Sequence, residues 1–173
     1  KFAGRVYPIG VDTERFRPQD PAAVAALKER LGLTEKRLVV FGGVVRPHKG
    51  LEVFAEALGR LGRSDVVLLI LGPCNEHVRE MQQHPVYGTR VVCPAEDAAR
   101  TREIHDQMPL WLGIGDILIV PLADTRMARS QMPCKVFEAM SMGKPILASA
   151  VSDLPEVLEG CGWLVPPGDV DAV

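Results

Sequence analysis

The chain has 173 residues, 47% hydrophobic and 24% charged, the profile of a globular domain with a full core. Its net charge of −2, with basic residues scattered rather than blocked, argues against nucleic acid or a strongly anionic membrane as partner. No apolar run approaches the ~20 residues that a membrane-spanning helix needs.

Residues 1–6 read as a strand already under way, and residues 7–18 are rich in turn formers without a long period. Residues 22–31 form the first expected helix, stopped by Gly32. Leu38-Val39-Val40-Phe41 is a buried strand, followed by Leu51, Phe54, Ala55, Leu58 and Leu61 at helical spacing. Val66-Val67-Leu68-Leu69-Ile70-Leu71 is apolar at every position, as a parallel strand covered on both faces must be. A helix is expected over 75–83, a third strand over 90–93 and a polar helix over 96–106. Pro109 restarts a short helix. A fourth strand over 117–120, a helix over 134–142, a strand over 146–148, a helix over 154–158 and a last strand over 163–165 complete the series.

This alternation predicts an α/β fold, a doubly wound parallel sheet of Rossmann-like type. Ligands of such sheets bind at the carboxyl ends of the strands, near a switch in strand order. Residues 1–35 read as an interdomain segment with the first helix, and 36–173 as the binding domain. Both ends read as cut: residues 168–173 stop where Asp169 is placed to cap a new helix. Cys74, Cys93, Cys134 and Cys161 show no CxxC spacing, and His48, His77, His84 and His105 do not cluster with them. Reduced cysteines and no metal site are expected.

Two stretches carry chemistry. Phe41-Gly42-Gly43-Val44-Val45-Arg46-Pro47-His48-Lys49-Gly50 links a strand to a helix. Its glycines allow close backbone approach, Arg46 offers a fork for phosphate oxygens and Lys49 a point charge. Taken alone, the pair reads equally well as solvated surface cations. The second stretch runs from Pro133 to Pro145. Here the amides of Cys134, Lys135 and Val136 open a helix towards an anion. Glu138 follows among the apolar residues Val136, Phe137, Ala139 and Met140, so a packed acid there needs a partner. A carboxylate at this place suits vicinal hydroxyls, such as those of a ribose. Gly143 and Lys144 read as a helix stop and a solvated cation. Gly72-Pro73-Cys74-Asn75 and Cys93-Pro94 end strands on the same rim and suit either plain turns or a base pocket. His48 and His105 read as solvent-facing, and Asp12, Glu14 and Asp124 as cap and loop residues.

Together these stretches resemble the retaining GT-B glycosyltransferases of group 1. Pro8-Ile9-Gly10-Val11-Asp12-Thr13-Glu14-Arg15-Phe16-Arg17-Pro18 is similar to that family's lead into its C-terminal domain. Arg46-Pro47-His48-Lys49-Gly50 resembles its RPxKG variant. Leu118-Ile119-Val120-Pro121 with Pro133-Cys134-Lys135-Val136-Phe137-Glu138-Ala139-Met140 resembles its donor-binding motif, and Gly162-Trp163-Leu164-Val165-Pro166-Pro167-Gly168-Asp169 its closing motif. The resemblance implies the C-terminal, donor-binding half of a two-domain fold. It implies catalytic roles for Arg46 and Lys49 on the diphosphate of a nucleotide sugar. It implies donor-binding roles for Gly43, Ser130, Pro133, Cys134, Lys135, Val136 and Glu138, and no metal or other cofactor.

Two departures stand out. The family's first acid falls at position 130, here Ser130, which can hydrogen-bond but carries no charge. An arginine common after the strand-end glycine is replaced by Val44, leaving Arg46 to serve. The expected activity is transfer of a hexose to a glycan or lipid-linked acceptor, held by an absent N-terminal domain. The expected location is cytoplasmic, with peripheral association at the inner membrane face left open, and the domain alone is expected to be inactive. The alternatives are a nucleotide-sugar epimerase of the same fold and a non-catalytic nucleotide-sugar-binding module.

Overall fold

The computed structural model describes residues 9–173. The strand expected over 1–6 and the first residues of the Tyr7–Pro18 stretch lie outside that range. Six parallel strands form one sheet: β1 (Arg37–Gly42), β2 (Val66–Leu71), β3 (Val91–Val92), β4 (Ile117–Val120), β5 (Ile146–Ser149) and β6 (Trp163–Val165). Their order is β3-β2-β1-β4-β5-β6. The chain builds outward from β1 to β3, then returns to pair β4 with the other side of β1, Val39 against Ile117 and Val40 against Leu118. The switch in strand order therefore lies between β1 and β4.

Every residue of β2 is buried, as its unbroken apolar run requires. The helix α2 (Leu51–Arg60) buries Leu51, Phe54, Ala55 and Leu58, the i, i+3, i+4, i+7 pattern of one helical face. Leu61, the last residue of that expected stripe, falls beyond the helix end and is exposed. The remaining helices are α1 (Pro21–Arg30), α3 (Glu76–Gln83), α4 (Ala98–Asp106), α5 (Met108–Gly113), α6 (Arg126–Arg129), α7 (Cys134–Ser141) and α8 (Leu154–Val157). Trp111 on α5 is fully buried.

Three local features differ from the sequence expectation. The third strand shortens to Val91–Val92, because residues 88–90 turn in a 3₁₀ helix whose Arg90 donates to the carbonyls of Leu58, Gly59 and Arg63. The loop after β4 contains α6, capped by the Thr125 hydroxyl accepting from the Ala128 amide at 3.1 Å. Lys144 is not a solvated cation. It is half-buried and donates to the carbonyls of Gly113 and Gly115, satisfying acceptors at the end of α5. Burial holds its pKa below the usual lysine value.

The carboxyl ends of β1 and β2 approach closely. A Cβ on Gly72 would fall on the carbonyl oxygen of Gly43, whose own amide donates to Leu71 O at 3.0 Å. Gly43 in turn adopts φ 144°, a conformation few side-chain-bearing residues reach. The close approach sets the direction in which the loop after β1 leaves the sheet. Replacing Gly72 by Ala is expected to destabilise the domain by about 1–3 kcal/mol, read as a lower urea midpoint at unchanged slope. Wild-type stability in this variant would show that the two loops do not constrain each other.

Candidate functional site

The loops after β1 and β4 flank a cavity of about 410 Å³ at the switch point. Gly42, Gly43, Val44, Arg46, His48 and Lys49 supply one wall, and Pro121, Met127, Gln131, Pro133, Cys134 and Lys135 the other. Residues 47–49 form a 3₁₀ turn ending at Gly50, which has φ 62°. The two walls are bolted together below the cavity: the Ala123 amide donates to His48 O at 3.1 Å, and a Cβ on Gly50 would lie 3.1 Å from Ala123 N. Asn75 braces the first loop from its other side. Its Oδ1 caps α3 through the Val78 amide at 3.1 Å while its Nδ2 donates to Val45 O at 2.8 Å. The turn at residues 72–75 thus supports the site through a side chain that also starts a helix.

The cavity is electropositive and lacks a protein anion among its lining residues. Arg46 is exposed and, among the described residues, makes no side-chain hydrogen bond or ion pair. Lys49 is half-buried, and its Nζ donates to a neutral acceptor, Gln131 Oε1, at 3.0 Å. Burial, then the nearby Arg46 guanidinium, push the Lys49 pKa below the usual lysine value. His48 is not simply solvent-facing. It is half-buried on the cavity wall, and burial, Lys49 and Arg46 lower its pKa, which favours the neutral ring. His105, by contrast, is exposed as expected.

The opposite wall is the start of α7. Pro133 occupies its N-cap without a side-chain cap. The Val136 amide donates to Pro133 O at 3.1 Å, and Val136 itself is fully buried, so its expected contact with an anion is already taken. The amides of Cys134 and Lys135 have no backbone or side-chain acceptor among the described residues and remain open. Cys134 is exposed on the cavity wall with a free thiol.

Glu138 is buried one turn further in, and its partner is Lys135. The ammonium donates to Oε1 at 3.0 Å and stands 2.8 Å from Oε2. The second contact is ionic and poorly angled, so the buried Oε2 has no aligned donor. The Lys135 stem crosses the end of β1, where a Cβ on Gly42 would lie 3.1 Å from its Cδ.

Ser130 does not join this set. Its hydroxyl turns back to donate to Arg126 O at 2.9 Å, and, like the buried Val136 and Glu138, the residue lies outside the cavity lining. Gln131, the next residue, faces the cavity instead. Sequence reasoning missed Gln131, Met127 and the bracing role of Asn75. Gln131 and Met127 have no periodic or motif signal, and a loop contact to a lysine 82 positions away is invisible in one dimension. Asp124 is tied to Arg129 through both side-chain oxygens, which locks the α6 loop beside the site. Among the described residues no three His, Cys, Asp or Glu side chains come together as a metal-ligand set. No helix among them is long and apolar enough to cross a membrane.

Residues 35–173 match the family described as Glycosyl transferases group 1. The chain belongs to that family. It is 34% identical over 96% of its length to the GDP-mannose-dependent alpha-(1-6)-phosphatidylinositol monomannoside mannosyltransferase of Mycolicibacterium smegmatis, of which the match covers 44%. It is 25% identical over 96% of its length to the sulfoquinovosyl transferase SQD2 of Arabidopsis thaliana, covering 31% of that protein. The chain thus spans less than half the length of these curated relatives. Its fold matches HepE of Anabaena solved with UDP and glucose, at a TM-score of 0.74 and 21% identity, over 94% of this chain and 43% of that one. It also matches the sucrose-phosphate synthase of Thermosynechococcus elongatus at a TM-score of 0.76 and 23% identity, over 97% and 41% of the two chains. The group 1 domain is therefore built on a GT-B-type Rossmann-like sheet, as the resemblance implied.

Lys49 gives this wall a measurable stability signature. Its pKa is lowered on folding, so the unfolded chain binds the proton more tightly. The cost of holding the charge is fully present at neutral pH. It disappears as pH rises from the lowered folded value to the ordinary lysine value of the unfolded chain. Lys49→Met, which keeps the apolar stem, is expected to be at least as stable as wild type at pH 7. That advantage narrows in denaturant melts at alkaline pH. A variant that is clearly less stable at pH 7 would contradict this electrostatic account.

Proposed function

We propose that the domain is the donor-binding half of a retaining glycosyltransferase that moves a hexose from a nucleoside-diphosphate sugar to a glycan or lipid-linked acceptor. The observation that carries this reading is the charge imbalance of the cleft. Arg46, Lys49 and the open amides of Cys134 and Lys135 converge at the switch point, and the lining offers no carboxylate to answer them. A diphosphate supplies that missing charge. The same groups act on the reaction itself. As the glycosidic bond to the donor breaks, negative charge builds on the departing diphosphate, and pre-placed cations stabilise it without reorganising. In this reading the cations do the work of a divalent metal, and none is required.

Glu138 suits the ribose. Its buried Oε2 lacks an aligned donor, and a sugar hydroxyl supplies one. The names of the relatives support a nucleotide-sugar donor: the mycobacterial protein is described as GDP-mannose-dependent, and HepE was solved with UDP and glucose. This chain covers 44% of the mycobacterial relative; in our reading the acceptor, and with it any association with a membrane, is handled by a domain beyond this one.

Calorimetric titration of UDP, GDP and ADP tests the site. One nucleotide is expected to bind selectively with a Kd on the order of 10 µM to 1 mM. Binding is expected to weaken at least tenfold in Lys49→Met and in Glu138→Gln, each shown to be folded. Absence of binding by the folded wild-type domain sinks the donor-site reading. Release of a free sugar epimer by the full-length protein would favour an epimerase, and binding without any donor turnover by that protein a non-catalytic module.

A further inference from the structure

The residue the sequence left unnoticed, Gln131, sits opposite the first phosphate-binding loop and touches its lysine. An ammonium only donates, so the Gln131 atom 3.0 Å from Lys49 Nζ must be the amide oxygen. The amide nitrogen is left without a protein acceptor among the described residues and stays on the cavity side of the loop. Among the described residues Lys49 has no carboxylate partner, although ion pairs are common elsewhere on this surface, as between Arg129 and Asp124 close by. The neighbouring Ser130 turns its hydroxyl back to Arg126 O, away from this contact.

We propose that Gln131 is a positioning residue that fixes the Lys49 ammonium over the crevice without neutralising it. The inference rests on the donor-site reading for its purpose and on the Lys49–Gln131 contact for its substance. A lysine stem has four rotatable bonds and loses much of its freedom when its head is held in one place. A carboxylate would hold it more strongly but would cancel the charge that a diphosphate needs. An amide oxygen holds the head by one charge-assisted hydrogen bond and leaves the full positive charge for the ligand. The interaction also spans the crevice, since Lys49 belongs to the loop after β1 and Gln131 to the loop after β4. It therefore ties the two walls by side chains, in addition to the backbone bond from Ala123 to His48.

The test combines a binding cycle with a direct titration of Lys49. Calorimetry uses the nucleoside diphosphate selected from UDP, GDP and ADP, with wild type, Gln131→Leu, Lys49→Met and the double variant. Gln131→Leu is expected to weaken binding three- to tenfold in the wild-type background and to have no further effect when Lys49 is already Met. Equal losses in both backgrounds, or no loss in the first, overturn the positioning role. The titration follows the side-chain carbon resonance of Lys49 in ¹³C-lysine-labelled protein, with no nucleotide present. The other titratable groups on the cavity wall are Arg46, His48, Cys134 and Lys135. Gln131→Glu, which pairs the ammonium, is expected to move the Lys49 midpoint to higher pH and to weaken nucleotide binding at least tenfold. An unmoved midpoint overturns the contact. Should wild type bind none of the three nucleotides, the donor-site reading fails while the Lys49 titration still decides whether Gln131 holds it.

Discussion

The pairing of β1 with β4, Val39 against Ile117 and Val40 against Leu118, is where the two halves of the sheet meet. At every other junction a helix or turn connects strands that are neighbours in sequence as well as in space. At this one the loops leaving two adjacent strands depart towards different elements, and the space between them stays open. Everything polar in the site reaches that opening from its two sides. The close approach of Gly72 to the Gly43 carbonyl fixes the first loop, and the Ala123–His48 backbone bond fixes it against the second. The cavity is therefore held by backbone contacts, which frees its side chains for a ligand.

Those side chains are arranged at some cost to the free protein. Arg46 and Lys49 lie close enough for the guanidinium to lower the Lys49 pKa, and no acid relieves them. Lys135 is the exception, because its charge is answered by Glu138 in the next turn of its helix. The consequence is a division of labour between the two walls. The α7 start offers neutral amides and an internally compensated ion pair, while the β1 loop offers uncompensated charge. An anionic ligand gains most where protein charge is both fixed and unanswered.

Much of the fold was legible because each element carried its own signal. The all-apolar Val66–Leu71 run could only be a doubly covered strand, and the α2 stripe at Leu51, Phe54, Ala55 and Leu58 could only face a core. Errors clustered where a distant contact outvoted local pattern. Arg90 left the expected third strand for a 3₁₀ turn because its side chain reaches back to the end of α2. Lys144 looked like an exposed cation after a helix stop, yet it finds the carbonyls of Gly113 and Gly115 about thirty positions earlier. The site behaved in the same way. That Arg46, Lys49, Cys134 and Lys135 would lie together at the carboxyl ends of the strands was readable from loop composition and their place after a strand. What the sequence did not reveal is that the Val136 amide already donates to Pro133 and the Ser130 hydroxyl to Arg126.

The sequence alone determined the alternation of strands and helices, the two loops that carry chemistry and the group 1 motifs at both. These follow from periodicity, turn residues and charge, all properties of short segments. Only the tertiary structure decided which groups are free to act. Whether an amide, a hydroxyl or an ammonium is available depends on whether some other group has already accepted or donated its hydrogen bond. That partner often lies in another part of the chain. Glu138 has Lys135 on one oxygen and no aligned donor on the other, and Lys49 meets a neutral amide rather than an acid. The first contact is local to α7, but the second arises only when the return of β4 to the side of β1 brings the two walls face to face.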